Sequence, residues 1–219
     1  MSIKLKKTED LNEGLKRLLV NECQTAIDEI EKAKTPAQKH EAVHETRKAL
    51  KKIRGGLRLI RGHLDFYKKE NVFFRDLGRL ISEIRDSTSH LETLALLKGQ
   101  YESRLYVNSF DKLKADLKEY RQELEKEVFD KEDHLERIKE ALIAKMHEIE
   151  EWEIDVQSFN DIEPGLKKVY ERGIKGLTHS REKGGVKDFH EWRKRVKYLR
   201  YQVDMLNRTW PQVMNALED

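Results

Sequence analysis

Residues 44–54 read HETRKALKKIR, and residues 190–200 read HEWRKRVKYLR. The two segments agree at six of eleven positions although they start 146 residues apart, which indicates an internal duplication. At about 100° per residue, the shared histidine, arginine and lysine positions fall on one side of a helix. Each segment therefore predicts a helix with a row of cations along one face.

An apolar row runs beside the cationic row in both segments, so the cations are expected to border the core. The apolar positions are Leu50, Ile53, Leu57 and Ile60 in the first segment and Trp192, Val196, Leu199, Val203 and Leu206 in the second. Neighbouring like charges on an exposed helix face repel by about 0.2–0.5 kcal/mol per pair. An anionic partner would offset this repulsion.

Apolar residues at three- and four-residue spacing recur along the rest of the sequence and predict an all-α protein. Three prolines and eleven glycines in 219 residues leave little turn chemistry for a multi-stranded sheet. Pro36 and Pro164 are expected in the first turns of helices. The longer predicted helices cover residues 8–33, 36–62, 109–152, 164–181 and 187–208.

Gly55 and Gly56 lie in the middle of the first basic helix. A glycine there costs about 1 kcal/mol relative to alanine, so a reason for the pair is expected. Two interpretations stay open. The glycines permit the close approach of a facing helix or of a ligand, or they kink the helix.

The net charge of +3 hides a strong segregation of charge along the chain. Residues 111–155 hold sixteen acidic and nine basic side chains, whereas residues 167–200 hold twelve basic and four acidic ones. Residues 47–61 hold seven basic side chains and no acid. Because arginine forks and mobile lysines both bind phosphate oxygens, this pattern favours a flexible, phosphate-rich polyanion as partner.

Residues 40–44 read HEAVH, which matches the H-E-x-x-H signature of zinc hydrolases. Three cations follow within two turns, and the second copy has Val186 where His40 would recur, so only His44 belongs to the repeated unit. A zinc-dependent hydrolase at His40, Glu41 and His44 is the enzymatic alternative. We expect a protein that is not an enzyme and holds no metal or cofactor.

The paired motifs resemble the CHAD domain, the conserved histidine α-helical domain, a family that binds inorganic polyphosphate. The resemblance is carried by His44-x-x-Arg47-x-x-x-Lys51-x-x-Arg54 and by His190-x-x-Arg193-x-x-x-Lys197-x-x-Arg200. It extends to residues 80–86, LISEIRD, which are similar to the family's Arg-Asp helix start. Residues 167–173, KKVYERG, are similar to the basic helix that precedes the second histidine.

The resemblance implies one domain over residues 8–219, built of antiparallel helical bundles that are duplicated about a pseudo-twofold axis around a central basic channel. The first repeat is expected over residues 8–105, a long helix over 109–152 and the second repeat over 160–219. Thr88 replaces the second aspartate of the family's Arg-Asp-x-Asp, and the sequence ends before that segment would recur. We therefore expect the second bundle to be incomplete or to be completed by another copy of the chain.

The resemblance implies inorganic polyphosphate as the ligand, whereas charge periodicity alone leaves nucleic acid and inositol phosphates open. Tyr198 and Tyr201 lie beside the second cationic row, where they would either stack bases or pack in the core. The predicted polyphosphate-binding residues are His44, Arg47, Lys48, Lys51, Arg54, Arg58, Lys167, Lys168, Arg172, Lys175, His190, Arg193, Lys194, Lys197 and Arg200.

Cys23 is the single cysteine, so no intramolecular disulfide forms and a reducing compartment fits. The first residues contain no apolar run of signal-peptide length, and no segment has the length and hydrophobicity of a membrane span. We expect a cytoplasmic protein without a membrane partner. The resemblance adds an association with polyphosphate granules.

Overall fold

The computed structural model describes residues 4–101 and 109–208, and the regular elements in these residues are all helical. They are α1 (Leu11–Lys32), α2 (Pro36–Leu59), α3 (Tyr67–Leu80), α4 (Ser82–Tyr101), α5 (Ser109–Glu125), α6 (His134–Glu150), α7 (Phe159–Lys183) and α8 (Val186–Leu206). The predicted all-α class is confirmed. In the described residues, no helix combines the length and apolar character that a membrane crossing needs.

The single helix predicted over residues 109–152 is wrong. A π-helical segment, Lys126–Lys131, follows α5 directly, and Asp133 adopts a left-handed conformation with φ of 42° before α6 begins. The wider turn places both Val128 and Phe129 in the core, with 6% and 7% of their surface exposed. The chain therefore changes direction between α5 and α6 while its apolar spacing continues.

The predicted place of Pro164 in a first helical turn is also wrong, because α7 begins at Phe159. The Ser158 hydroxyl accepts a hydrogen bond from the Asn160 backbone N–H, and the Asp161 carboxylate accepts one from the Ser158 N–H at 2.8 Å. This capping box starts the helix five residues before the proline. Pro36, by contrast, lies at the start of α2 behind the Thr35 cap, as predicted.

The core is centred on α2, which packs against α1, α3 and α4. α6 packs against α1, and α7 and α8 pack against each other and against α2. Ile53 and Leu57 of the predicted apolar row are fully buried. The cationic row beside them consequently borders the core, as the sequence predicts.

Glycines set the contact between α2 and the α7–α8 hairpin. A Cβ atom built on Gly55 would lie 3.2 Å from the Cβ of Tyr201, and the Gln202 side chain donates a hydrogen bond to the Gly55 carbonyl at 3.1 Å. α2 continues through Gly55 without a break. The interpretation as a close approach of a facing helix is therefore confirmed.

Residues 209–219 of the predicted second repeat lie outside the described residues. The described part of that repeat contributes α7 and α8. The pseudo-twofold relation between the two repeats stays a prediction.

Candidate polyanion-binding groove

A groove of about 700 Å³ lies between α2 and α8, with α4 along one edge. Nine of the fifteen predicted binding residues line it: His44, Arg47, Lys48, Lys51, Arg54, His190, Arg193, Lys194 and Lys197. The remaining lining residues are Arg85, Asp86, Ser89, Tyr198 and Tyr201. The structure thus brings two cationic rows that are distant in sequence onto one surface.

The cations of the two helices repel one another across this groove. Burial, Arg47 and Lys197 together lower the pKa of Lys51 to about 8. Burial and Arg193 also lower the pKa of Lys197. Asp86, the one acid among the groove-lining residues, only partly offsets these effects at Lys51. The groove therefore has an excess of positive charge that an anion would neutralise.

The arginines on the α2 side of the groove are positioned by neutral acceptors. Arg47 donates a hydrogen bond to the carbonyl of Gly78 at 3.1 Å, and Arg54 donates one to the side-chain oxygen of Asn71 at 3.2 Å. Neither acceptor carries a charge. Both guanidinium groups are consequently oriented while their positive charge stays available to a ligand.

Arg58, a predicted binding residue, does not line the groove. Its guanidinium lies 3.8 Å from the ring centroid of Tyr198, donates a hydrogen bond to the carbonyl of Arg54 and is 8% exposed. Tyr198 in turn has one face covered by this cation. Arg58 therefore packs against a groove residue, Tyr198, instead of lining the groove itself.

Five further predicted residues lie outside the groove lining and are exposed: Lys167, Lys168, Arg172, Lys175 and Arg200. Arg172 approaches the C-terminal end of the α2 cationic row, where its charge helps to lower the pKa of Arg61. A continuation of the α2 cationic row onto α7 stays a prediction.

Arg85 is a central groove residue that the list of predicted binding residues lacks. Its Nε–H donates a hydrogen bond to Nδ1 of His44 at 3.0 Å, and its Nη1–H donates one to the Ser89 hydroxyl at 2.7 Å. The His44 contact requires an unprotonated Nδ1 and leaves Nε2–H as the donor of that ring. Arg85 belongs to the LISEIRD segment, which resembles the family pattern, but no sequence spacing relates α4 to α2.

The histidines of the H-E-x-x-H segment have polar partners within the protein. Nε2 of His40 lies 2.6 Å from a Glu125 carboxylate oxygen, and Nδ1 lies 3.1 Å from the Thr88 hydroxyl. Nδ1 of His44 accepts the hydrogen bond from Arg85. Within residues 4–101 and 109–208, no three His, Cys, Asp or Glu side chains are grouped as metal ligands.

The family model of the CHAD domain matches residues 21–218, nearly the whole chain. The chain belongs to the CHAD-domain family. A comparison with curated proteins finds no match. Within this CHAD domain, the two histidine-containing motifs are the parts that face each other across the groove.

Thr88 stands where the CHAD pattern Arg-Asp-x-Asp has its second aspartate, a departure that is visible in the sequence. Its hydroxyl donates a hydrogen bond to the Ile84 carbonyl at 3.1 Å and contacts Nδ1 of His40 at the same distance. The side chain therefore links α4 to the first turns of α2 without adding a negative charge near the groove.

Replacement of Lys51 by methionine is expected to stabilise the free CHAD domain at pH 7. The charged lysine is disfavoured in the folded state, since its pKa is lowered from 10.5 to about 8. Between these values the unfolded chain holds the extra proton, so the wild-type stability should rise with pH and the advantage of Lys51→Met should shrink. Denaturant unfolding of the wild type and the variant at pH 7 and near pH 10 measures the difference in their free energies of unfolding at each pH. An equal difference at the two pH values would contradict this electrostatic account.

Proposed function

We propose that the chain binds inorganic polyphosphate in the groove between α2 and α8 and does not catalyse a reaction. The observation that carries the proposal is the meeting of Lys51 and Lys197 from the two motifs, each with a lowered pKa in the free protein. Membership of the CHAD-domain family supports polyphosphate as the particular anion.

The cation density of the groove supports a chain of phosphates over a single small anion. The groove-lining cations are Arg47, Lys48, Lys51, Arg54, Arg85, Arg193, Lys194 and Lys197. Three of them pair with carboxylates outside the groove lining: Lys48 with Glu45, Lys194 with Glu191 and Arg85 with Glu92. The other five come from both α2 and α8, which is more cations than one compact anion contacts. A linear polyanion neutralises them in succession and releases its own counterions, which provides the driving force for binding.

One of the two groove tyrosines is already engaged by a cation, which favours a ligand without bases. Arg58 covers one face of the Tyr198 ring. Base stacking on single-stranded nucleic acid uses aromatic faces that are free to receive a base. Phosphate recognition uses the cations instead, and these line the groove.

In the cell, we place this binding in the cytoplasm at polyphosphate granules.

Polyphosphate affinity is expected to fall steeply with salt. For about six neutralised phosphates on a flexible strand, the affinity should decrease roughly 10²- to 10³-fold between about 50 and 200 mM monovalent salt. Titration of fluorescently labelled polyphosphate at four salt concentrations gives the slope. Longer chains should also bind more tightly until they span the groove. A slope near zero would rule out binding by counterion release.

A further inference from the structure

One side of α8 is exposed although the equivalent side of α2 is buried. The duplication aligns Phe189 with Val43 and Val196 with Leu50. Val43 is 0% and Leu50 is 2% exposed, whereas Phe189 is 41% and Val196 is 42% exposed. The same motif positions are therefore covered in one copy and uncovered in the other.

The cover on α2 is supplied by α3 and α4. A Cβ atom on Gly78 of α3 would lie 3.6 Å from Leu50, and the carbonyl of Gly78 accepts the hydrogen bond from Arg47. The equivalents of Arg47 and Arg54 on α8 are Arg193 and Arg200, which are both exposed. We name Phe189, Arg193, Val196 and Arg200 the α8 flank. Its apolar and cationic side chains alternate along one side of α8.

A suitable helix for this flank is present in the chain itself. α5 packs mainly against α4 and the π-helical segment that follows it, and it leaves Leu113 and Tyr120 47% and 40% exposed. The Tyr120 hydroxyl donates a hydrogen bond to Glu83 of α4, so it is the ring of Tyr120 that remains available. Asp116 and Glu123 are exposed on the same helix. At about 100° per residue these four side chains share one side of α5, which we name the α5 stripe.

The α8 flank and the α5 stripe are complementary in spacing and in charge. Each presents two apolar side chains seven residues apart, which is the repeat that two packed helices use. The α8 flank adds two arginines seven residues apart, and the α5 stripe adds two carboxylates with the same spacing. Two α8 flanks packed on each other would instead oppose arginine to arginine. The charges therefore select α5 over a second α8.

We propose that the α8 flank binds the α5 stripe of a second copy of the chain. This contact covers Phe189 and Val196, as α3 and α4 cover the equivalent side of α2. Because Arg193 belongs to both the flank and the groove, the second copy also completes the outer side of the groove wall. The inference goes beyond polyphosphate binding and does not depend on it.

Cysteine cross-linking tests the contact directly. Cys23 is fully buried and its burial raises the pKa of its thiol, so it should stay unreactive in the folded protein. Val196→Cys protein mixed with Leu113→Cys protein is expected to form a disulfide-linked dimer on mild oxidation. Mixing it with Ile143→Cys protein, whose α6 side chain is similarly exposed at 42%, provides the matched control.

Sedimentation of the unlabelled full chain gives an independent readout. The unchanged protein is expected to associate with increasing concentration, and Val196→Glu should raise the dimer dissociation constant at least about tenfold. Ile143→Glu should leave association unchanged. A monomer at all concentrations, association unaffected by Val196→Glu, or equal cross-linking to Leu113→Cys and Ile143→Cys would each overturn the proposal.

Discussion

The Lys51→Ala/Lys197→Ala double variant is expected to bind long-chain polyphosphate at least about 100-fold more weakly than the unchanged chain. One lysine lies on each of the two helices that form the groove. A hydrogen bond to a charged group contributes about 1.5–3 kcal/mol, so the loss of two such contacts lowers the affinity by two orders of magnitude or more. Fluorescence anisotropy with labelled polyphosphate at constant salt measures the change.

The matched control for this variant is Lys68→Ala/Lys69→Ala. Both lysines are exposed on α3, outside the groove, and their removal changes the net charge by the same amount. We expect less than about a threefold effect, since neither lysine lines the groove and salt screens exposed charges. A similar loss in both variants would show that binding follows net charge and not the groove.

Gly165→Ala is expected to destabilise the fold by about 3 kcal/mol. A Cβ atom there would lie 2.1 Å from the backbone oxygen of Leu59 and 2.6 Å from that of Arg58, so α7 would have to move away from α2. The displacement should also weaken polyphosphate binding, because α7 carries α8 and hence one wall of the groove. Chemical denaturation followed by circular dichroism measures the loss of stability.

Gly173→Ala on the same helix is the matched control for Gly165→Ala. In the part of the chain that the structure describes, a Cβ atom built on Gly173 would meet no neighbouring atom within 4 Å. This substitution should stabilise the protein by about 1 kcal/mol, since it removes a glycine from a helix interior. Two variants that change stability in the same direction would contradict the close contact between α7 and α2.

Helical periodicity predicted the part of the groove that depends on local geometry. The spacing of cations and apolar residues placed Lys51 and Lys197 at the edge of the core. It also placed Arg54 and Arg200 at equivalent positions. Only the first of these two arginines lines the groove, and Arg200 is exposed outside it.

Tertiary contacts explain why one predicted residue lies outside the groove and why another residue lines it without having been predicted. Arg58 continues the cationic row but lies beyond Gly55, where α8 approaches α2 and covers it. Arg85 reaches His44 from a helix that no periodicity connects to α2. The early start of α7 had a sequence signal in the Ser158 to Asp161 capping pattern.

The break between α5 and α6 had no comparable signal. Apolar residues keep three- and four-residue spacing on both sides of Lys126–Lys131, and neither glycine nor proline marks the change of direction. A π-helical segment adds a residue to one turn without an interruption of the helical pattern. Within the segment, Phe129 is buried and contacts the His40 ring edge on at a centroid distance of 5.7 Å.

The most direct test of the central claim is competition for labelled long-chain polyphosphate at physiological salt. Unlabelled polyphosphate, duplex DNA, RNA and inositol hexakisphosphate would each be titrated at equal phosphate concentration. The groove predicts that polyphosphate displaces the probe at the lowest concentration and that Lys51→Ala/Lys197→Ala no longer retains the probe. Equal displacement by nucleic acid, or a double variant that binds the probe as tightly as the unchanged chain, would contradict a polyphosphate site between α2 and α8.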